Sequence, residues 1–369
     1  MGLSSIVRGT IERWQILWEL REIRRDEASV NGFKLRGMLG ESKDALKRGL
    51  RSRAIEVWNR AFILYPDLAL TDDSVPDLLF QLKLYDEAEA LMKLGAKRYP
   101  TRAFYLENLA MVSYERRDLP EAIRRCETIN KKHPISIKGD WIAASAFRQL
   151  GRLDEAEAVL ARGLRRDPRD LGLLIQRAQI SEVRQDWTEA IERWRPILEE
   201  YNHQAGAVGL GLALTHLKRY EEADAILKEA ATKWGNDLSL WFGIAYVAEH
   251  KGDLEEVNRR WQVVRKRFPV EPVGYMRGVG AVLQISGPAQ ADAIMLDGIN
   301  YMPDDPLLLI EFAMLAHRRA DWSEAARRWL EVRDRFPGRR EGYERGAEAL
   351  AMLGDTDQAD AVRALNPTS

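Results

Sequence analysis

The stretch DWSEAARRWLEVRDRFP (321–337) repeats a wording met earlier as DWTEAIERWRPILEEYN (186–202), GDLEEVNRRWQVVRKRFP (252–269) and GRLDEAEAVLARGLRRDP (151–168). Each opens with a turn residue, a bulky residue and an acid. A small residue follows, then Trp or Leu four places on, and usually a closing Pro. Aligned on the small residue, the wording recurs at Ala54, Ala88, Ala122, Ala156, Ala190, Ala223, Val257, Ala291, Ala325 and Ala359, spaced 34 residues apart with a single 33. Twelve residues beyond stand Pro66, Pro100, Pro134, Pro168, Pro269, Pro303 and Pro337, with Asn202 and Gly235 in the same slot of the two other complete units. A register held from Ala54 to Ala359 is stronger evidence of architecture than any single motif.

One unit, LSLWFGIAYVAEHKGDLEEVNRRWQVVRKRFP (238–269), reads as helix–turn–helix. Trp241, Ile244, Ala245 and Ala248 recur at three- and four-residue spacing, one face of a first helix, A. KGD interrupts it. Leu254, Val257, Trp261 and Val264 stripe a second helix, B, which Pro269 ends. Small residues at the Ala245 and Val257 slots let the two helices approach closely. Each helix, about 14 residues and about 21 Å long, is marginal by itself in water. Such helices persist when each unit buries its stripe against the next.

The pattern resembles the tetratricopeptide repeat family: an aromatic or Leu early in helix A, a small pair further on, Ala in helix B, an aromatic four later, and a closing Pro. RLDEAEAVLARGLRRDP (152–168) matches it most closely. The resemblance covers about residues 43–369. It implies an all-α, right-handed superhelical solenoid of about ten helix-turn-helix repeats, with A helices lining a concave side. Trp58, Trp194, Trp261 and Trp329 stand where the family more often has Phe or Tyr, and Gly95, Gly163 and Gly298 replace the second helix-B Ala. Helix A of the first unit, near KLRGMLGESKDALKRGL (34–50), is hardly recognisable. The Trp-rich RRW…RFP wording is also similar to bacterial arrays beside sulfotransferase or glycosyltransferase domains in envelope-polysaccharide systems.

Residues 1–42 read as an N-terminal amphipathic helix and loop that cap the array. Val7, Ile11, Trp14 and Trp18 fall on one side of a helix over 5–28, and ASVNGFKLRGMLGES (28–42) reads as loop. Residues 1–60 carry thirteen Lys/Arg against eight Asp/Glu, so docking of 5–28 on a membrane surface or a partner competes with the capping role. The start is broken by Arg8, Glu12, Arg13 and Glu19 and does not read as a signal peptide. A cytoplasmic protein is the default expectation. Net charge is −1 although 31% of the 369 residues are charged, so nothing pulls the chain generally toward nucleic acid or acidic lipid.

Motifs of chemistry are sparse. His133, His203, His216, His250 and His317 show no tight metal spacing, though His216 and His250 occupy equivalent slots one repeat apart and could face one another. The lone Cys126 takes the Trp/Leu slot of helix B, which predicts a buried, inert thiol. DTD (355–357) fills the inter-helix turn, where an acid caps helix B. Arg clusters such as RRDPR (165–169) and RKRF (265–268) fall late in helix B, where cations suit the helix C-terminus. No catalytic residue, metal or cofactor is expected.

By the resemblance, positions 5 and 9 of each A helix face inward. Position 5 reads Asp73, Glu107, Trp141, Ile175, Val208, Phe242, Met276, Ile310 and Glu344; position 9 reads Asp77, Met111, Ser145, Gln179, Leu212, Tyr246, Gly280, Met314 and Glu348. The middle is apolar and the ends acidic. Trp141, Ile175, Phe242, Tyr246, Met276, Ile310 and Met314 are therefore the candidate binding residues for a peptide or helix of a protein partner. The competing reading is that this stripe packs against neighbouring A helices. The expected function is a non-enzymatic scaffold; the alternative is an accessory subunit of a cell-envelope polysaccharide biosynthesis or modification enzyme.

Overall fold

The computed structural model describes residues 25–367. Every regular element among them is an α-helix. They form two compact units, one ending at Ile180 and the other beginning at Ser181. The first holds α1 (Arg25–Lys47), α2 (Arg51–Leu64), α3 (Pro66–Thr71), α4 (Val75–Gln81), α5 (Tyr85–Arg98), α6 (Ala103–Glu115), α7 (Leu119–Lys132), α8 (Lys138–Gln149) and α9 (Leu153–Arg166). The border falls within α10 (Leu171–Val183). The second holds α11 (Trp187–Glu199), α12 (Gln204–His216), α13 (Tyr220–Lys233), α14 (Leu238–Lys251), α15 (Leu254–Arg267), α16 (Pro272–Ser286), α17 (Pro288–Tyr301), α18 (Pro306–Arg318), α19 (Trp322–Arg335), α20 (Arg340–Met352) and α21 (Thr356–Ala364).

The 34-residue register holds in the structure. The B helices begin at Arg51, Tyr85, Leu119, Leu153, Trp187, Tyr220, Leu254, Pro288, Trp322 and Thr356, each three residues before the aligned small residue. Nine of those small residues have no exposed surface and Val257 has 5%, because A and B helices cross there with no room for a longer side chain. Within each unit the pairs stack in file, as a repeat solenoid does. Trp58, Trp194, Trp261 and Trp329 are all buried. The indole N–H of Trp194 donates to Glu182 at 2.7 Å and that of Trp261 to Glu249 at 2.8 Å. The glycines in the second helix-B slot have a steric cause. A methyl group at Gly95 would stand 2.2 Å from the Tyr105 ring, and one at Gly163 would stand 2.6 Å from Leu173.

One expectation is corrected. Residues 28–42 are not loop; they lie inside α1. Leu35, Leu39, Ser42 and Ala45 follow helical spacing and are buried, and Leu35, Leu39 and Ala45 join the core built on Trp58, Leu70 and Leu78. Ser42 Oγ donates to the Ala54 carbonyl at 2.8 Å. Gly32, Gly37 and Gly40 cost roughly 1 kcal/mol each in a helix, and tertiary burial outweighs that cost. This long helix stands where the first A helix was unrecognisable. The helix expected over 5–28 lies, up to residue 24, outside the described residues.

Nine of the ten A–B turns share one conformation; in the other, before α17, the positive φ falls on Gly287. Asp118, Asp186, Asp253, Asp321 and Asp355 each accept the backbone N–H three residues on, at 3.0–3.3 Å, so the acid of DTD is a helix cap. Five residues before the small residue the backbone is left-handed: Gly at 49, 151, 252 and 354, but Lys83, Arg117, Gln185, Lys218 and Ala320 elsewhere. A side chain is strained in that region by about 1–2 kcal/mol. The exposed Ala320, at φ 56°, should therefore tolerate Ala320→Gly with a gain of about 0.5–1 kcal/mol after the added freedom of the unfolded chain is subtracted. Urea unfolding measures it, and a loss of stability would show that the turn is not strained.

Successive repeats are also joined by a recurring arginine, three residues after the small residue. Arg125, Arg260 and Arg328 each donate to a glutamate four residues back, Glu121, Glu256 and Glu324, at 2.6–2.7 Å. Each reaches a carbonyl of its own A helix, Leu109, Ile244 or Phe312, at 2.6–2.8 Å. Each crosses to an acid of the preceding B helix, Glu89, Asp224 or Asp292, at 2.6 Å. Burial disfavours the Glu89 carboxylate, yet its bonds to Arg125 and Lys93 outweigh this and hold it at about 2. Arg124 and Arg125 hold Glu121 at about 2. Glu256 and Glu324 are likewise held at about 2, chiefly by Arg259 and Arg327, then by Arg260 and Arg328.

These carboxyls lie below their ordinary value, so the folded state binds fewer protons than the unfolded one. Their contribution is complete above about pH 4.5 and is lost as pH falls toward 2. Stability measured from pH 6 to pH 2 should fall most steeply in that interval. Arg328→Met, which leaves the Phe312 carbonyl without its donor, Asp292 with Arg319 alone and Glu324 with Arg327 alone, should cost about 3 kcal/mol at neutral pH and flatten the acid slope. A slope unaltered in the variant would refute the role of the clamp.

Candidate interaction surface

Adjacent A helices touch directly in both units: α6 with α8 in the first; α12 with α14, α16 with α18, and α18 with α20 in the second. A residue on that row meets its own B helix on one side and its neighbouring A helices on the other. All seven candidate residues are half-buried, which is what this position imposes.

In the first unit Trp141 packs on the core containing Ile142, Phe147 and Leu160. A methyl group at Gly172 would stand 3.4 Å from its indole, and Gln176 Nε2 donates to its carbonyl at 3.2 Å. Ile175 follows on the next A helix. Ser145, in the position-9 slot, is buried and contributes no surface. Beside Trp141 the wholly buried Asp140 is clamped by Arg162 and Arg166 at 2.5 and 2.6 Å. Cys126 is buried as expected, and burial, then Asp140, pushes its thiol up to about 12.

In the second unit Phe242 lies 5.4 Å from the Trp261 ring. Met276 packs on the core of Tyr275, Val279 and Phe312, and Ile310 and Met314 pack on that of Leu309, Trp329 and Tyr343. Tyr246 sits in an aromatic group that the sequence did not assemble. Its hydroxyl is hydrogen-bonded to His216 Nε2 at 3.3 Å, and its carbonyl accepts His250 Nδ1–H at 3.1 Å. Trp187, the first residue of α11, stacks on His216 at 3.8 Å with rings 5° from parallel. Arg277 lies over the other part of Tyr246 at 5.9 Å and pairs with Glu249. His216 and His250 do face one another, ring centroids 5.5 Å apart. Their bonds run to Tyr246, and no group of three metal-ligating side chains occurs among the described residues.

Burial, then the neighbouring His250, lowers His216 below the ordinary imidazole value, so it is neutral at pH 7. Proton NMR titration should place its midpoint below 6.5, and Trp187→Ala, which uncovers the ring, should move the midpoint up. A midpoint above 6.5 in the unaltered protein would contradict the packed geometry.

The arginine clamps were missed from the sequence although a signal exists: an acid directly after the small residue, with Arg 36 residues later. So were the aromatic bonds that tie three A helices, α14, α16 and α20, to the preceding turn, Trp241 to the Gly235 carbonyl, Tyr275 to Pro269 and Tyr343 to Pro337, at 2.8–3.1 Å. A fixed spacing of six residues identifies these.

The helix pairs, the common turn and the stacked A row define an all-α helical-repeat protein. Residues 139–180 and 175–237 each match a model described as tetratricopeptide repeat. Among solved structures the chain is similar to yeast Tom70, at 11% identity and a TM-score of 0.51, over 89% of this chain and 90% of that one. It is also similar to a tetratricopeptide repeat protein of Parabacteroides merdae, at 15% identity and a TM-score of 0.49, over 67% and 98%. A third likeness is to Pseudomonas aeruginosa pilF, at 19% identity and a TM-score of 0.42, over 57% and 97%. No curated protein matches the chain. Residues 139–237 of the chain are thus tetratricopeptide repeats. No described helix is long and apolar enough to cross a membrane.

Proposed function

We propose that the chain is a non-enzymatic scaffold whose A helices receive a segment of a protein partner. The observation that carries this reading is the row of half-buried apolar side chains on successive A helices. Phe242, Tyr246, Met276, Ile310 and Met314 line one unit, and Trp141 and Ile175 the other. A side chain fixed on one side by the core and open on the other is pre-organised for contact, so little conformational entropy is lost on binding. Aromatic residues concentrate binding energy, and Met adapts to irregular partners. The tetratricopeptide repeats support the coarse assignment as an interaction scaffold.

Replacement of Trp141, Phe242 and Tyr246 by Ala together should abolish recovery of cross-linked partners from native extract while helicity is retained. Each lost anchor removes about 2 kcal/mol or more of binding. Undiminished recovery with intact helicity would refute the assignment of this face.

A further inference from the structure

A different face of the second unit carries an arginine without a counterion. Arg265, late in α15, is half-buried. Its side chain runs toward the next A helix through space left by two glycines. A methyl group at Gly278 would stand 2.6 Å from its Nη1, and one at Gly274 would stand 3.4 Å from its Cγ. The one protein acceptor it reaches is the Gly274 carbonyl, at 3.1 Å. Arg125, Arg260 and Arg328 are each neutralised by two carboxylates. Arg265 makes no ion pair among the described residues.

The repeat supplies an internal comparison. Arg333 occupies the same slot two repeats on, its backbone and Cβ against the equivalent Gly342, and is bound to the adjacent Asp334 at 2.6 Å. In the Arg265 repeat that adjacent residue is Lys266, so a second cation replaces the counterion. Burial pushes the Arg265 guanidinium below the ordinary arginine value, outweighing the opposing pull of Tyr275 and Asp297, as expected for a charge removed from water without an ion pair.

Arg265 and Lys266 open on a cavity of about 450 Å³ between α15 and α17, with α16 as its floor. Asn258, Gln262 and Gln290 bring amides and Ser286 a hydroxyl to its wall. Asp297 shares the cavity without pairing with Arg265. The volume is that of a small-molecule site. A guanidinium fork recognises carboxylate or phosphate oxygens in pairs, and amides, which donate and accept, suit a ligand rich in hydroxyls. We propose that this cavity binds a small hydroxylated anion, its carboxylate or phosphate group on Arg265 and its hydroxyls on the amide wall.

Calorimetric titration of the full chain with glucuronate, glucose 6-phosphate and glucose tests this, since the first two present either anion on a similar ring and the third neither. Saturable binding of at least one anion and none of glucose is expected. Arg265→Gln should weaken it at least ten-fold, whereas Arg267→Gln, which removes a neighbouring cation outside the cavity, should leave it unchanged. Which anion binds tells carboxylate from phosphate. Phenylglyoxal modification of the unaltered protein, mapped by mass spectrometry, gives a reading independent of any variant's folding: the bound anion should protect Arg265 and not Arg267. Failure of both anions to bind, binding indifferent to Arg265→Gln in a folded variant, or equal labelling of Arg265 with and without anion would each overturn the proposal.

Discussion

A pair of short helices has two greasy sides and no interior of its own. Everything in this chain follows from the need to cover both. The crossing point of each pair must carry a residue no larger than Val, and a large side chain four residues on must fill the space toward the next pair. The buried Trp58, Trp194, Trp261 and Trp329 and the fully covered alanines are two halves of one packing solution. Glycine enters where even a methyl group is excluded, as at Gly209, where it would stand 2.2 Å from the Trp194 ring.

Apolar stacking is not directional enough to hold one helix pair in a set rotation on the next. Polar contacts supply that. The arginine clamps bind a side chain to its own turn, its own A helix and the preceding repeat at once. Their fork geometry admits little sliding. The Tyr and Trp bonds to carbonyls six residues back set the angle at which α14, α16 and α20 leave the turn. These are partly buried ionic and polar interactions, so their larger role is registry, and their net contribution to stability is smaller.

Much of this was legible before any coordinates. Ala54 to Ala359 mark the B helices, the turn acids mark their caps, and the Cys126 slot marks a buried thiol. The error at 28–42 shows where local reading fails: propensity acts on a residue and its neighbours, while the burial of Leu35 and Leu39 depends on partner helices further along the chain. The candidate site was legible as a row but not as a surface. Sequence spacing placed Trp141 and Phe242 on A helices, yet could not say that each is half-covered, that Ser145 is buried, or that Trp187 comes to rest on His216.

The sequence by itself determined the period, the pairing of helices and the slots that must be small, since these depend on side-chain volume at fixed chain spacing. The tertiary structure alone decided which charges are neutralised. Arg260 and Arg265 read alike along the chain, as basic residues on helix B. They differ only in the acids and carbonyls that folding brings within a few ångströms, because electrostatic interaction is set by distance in space and by access to water.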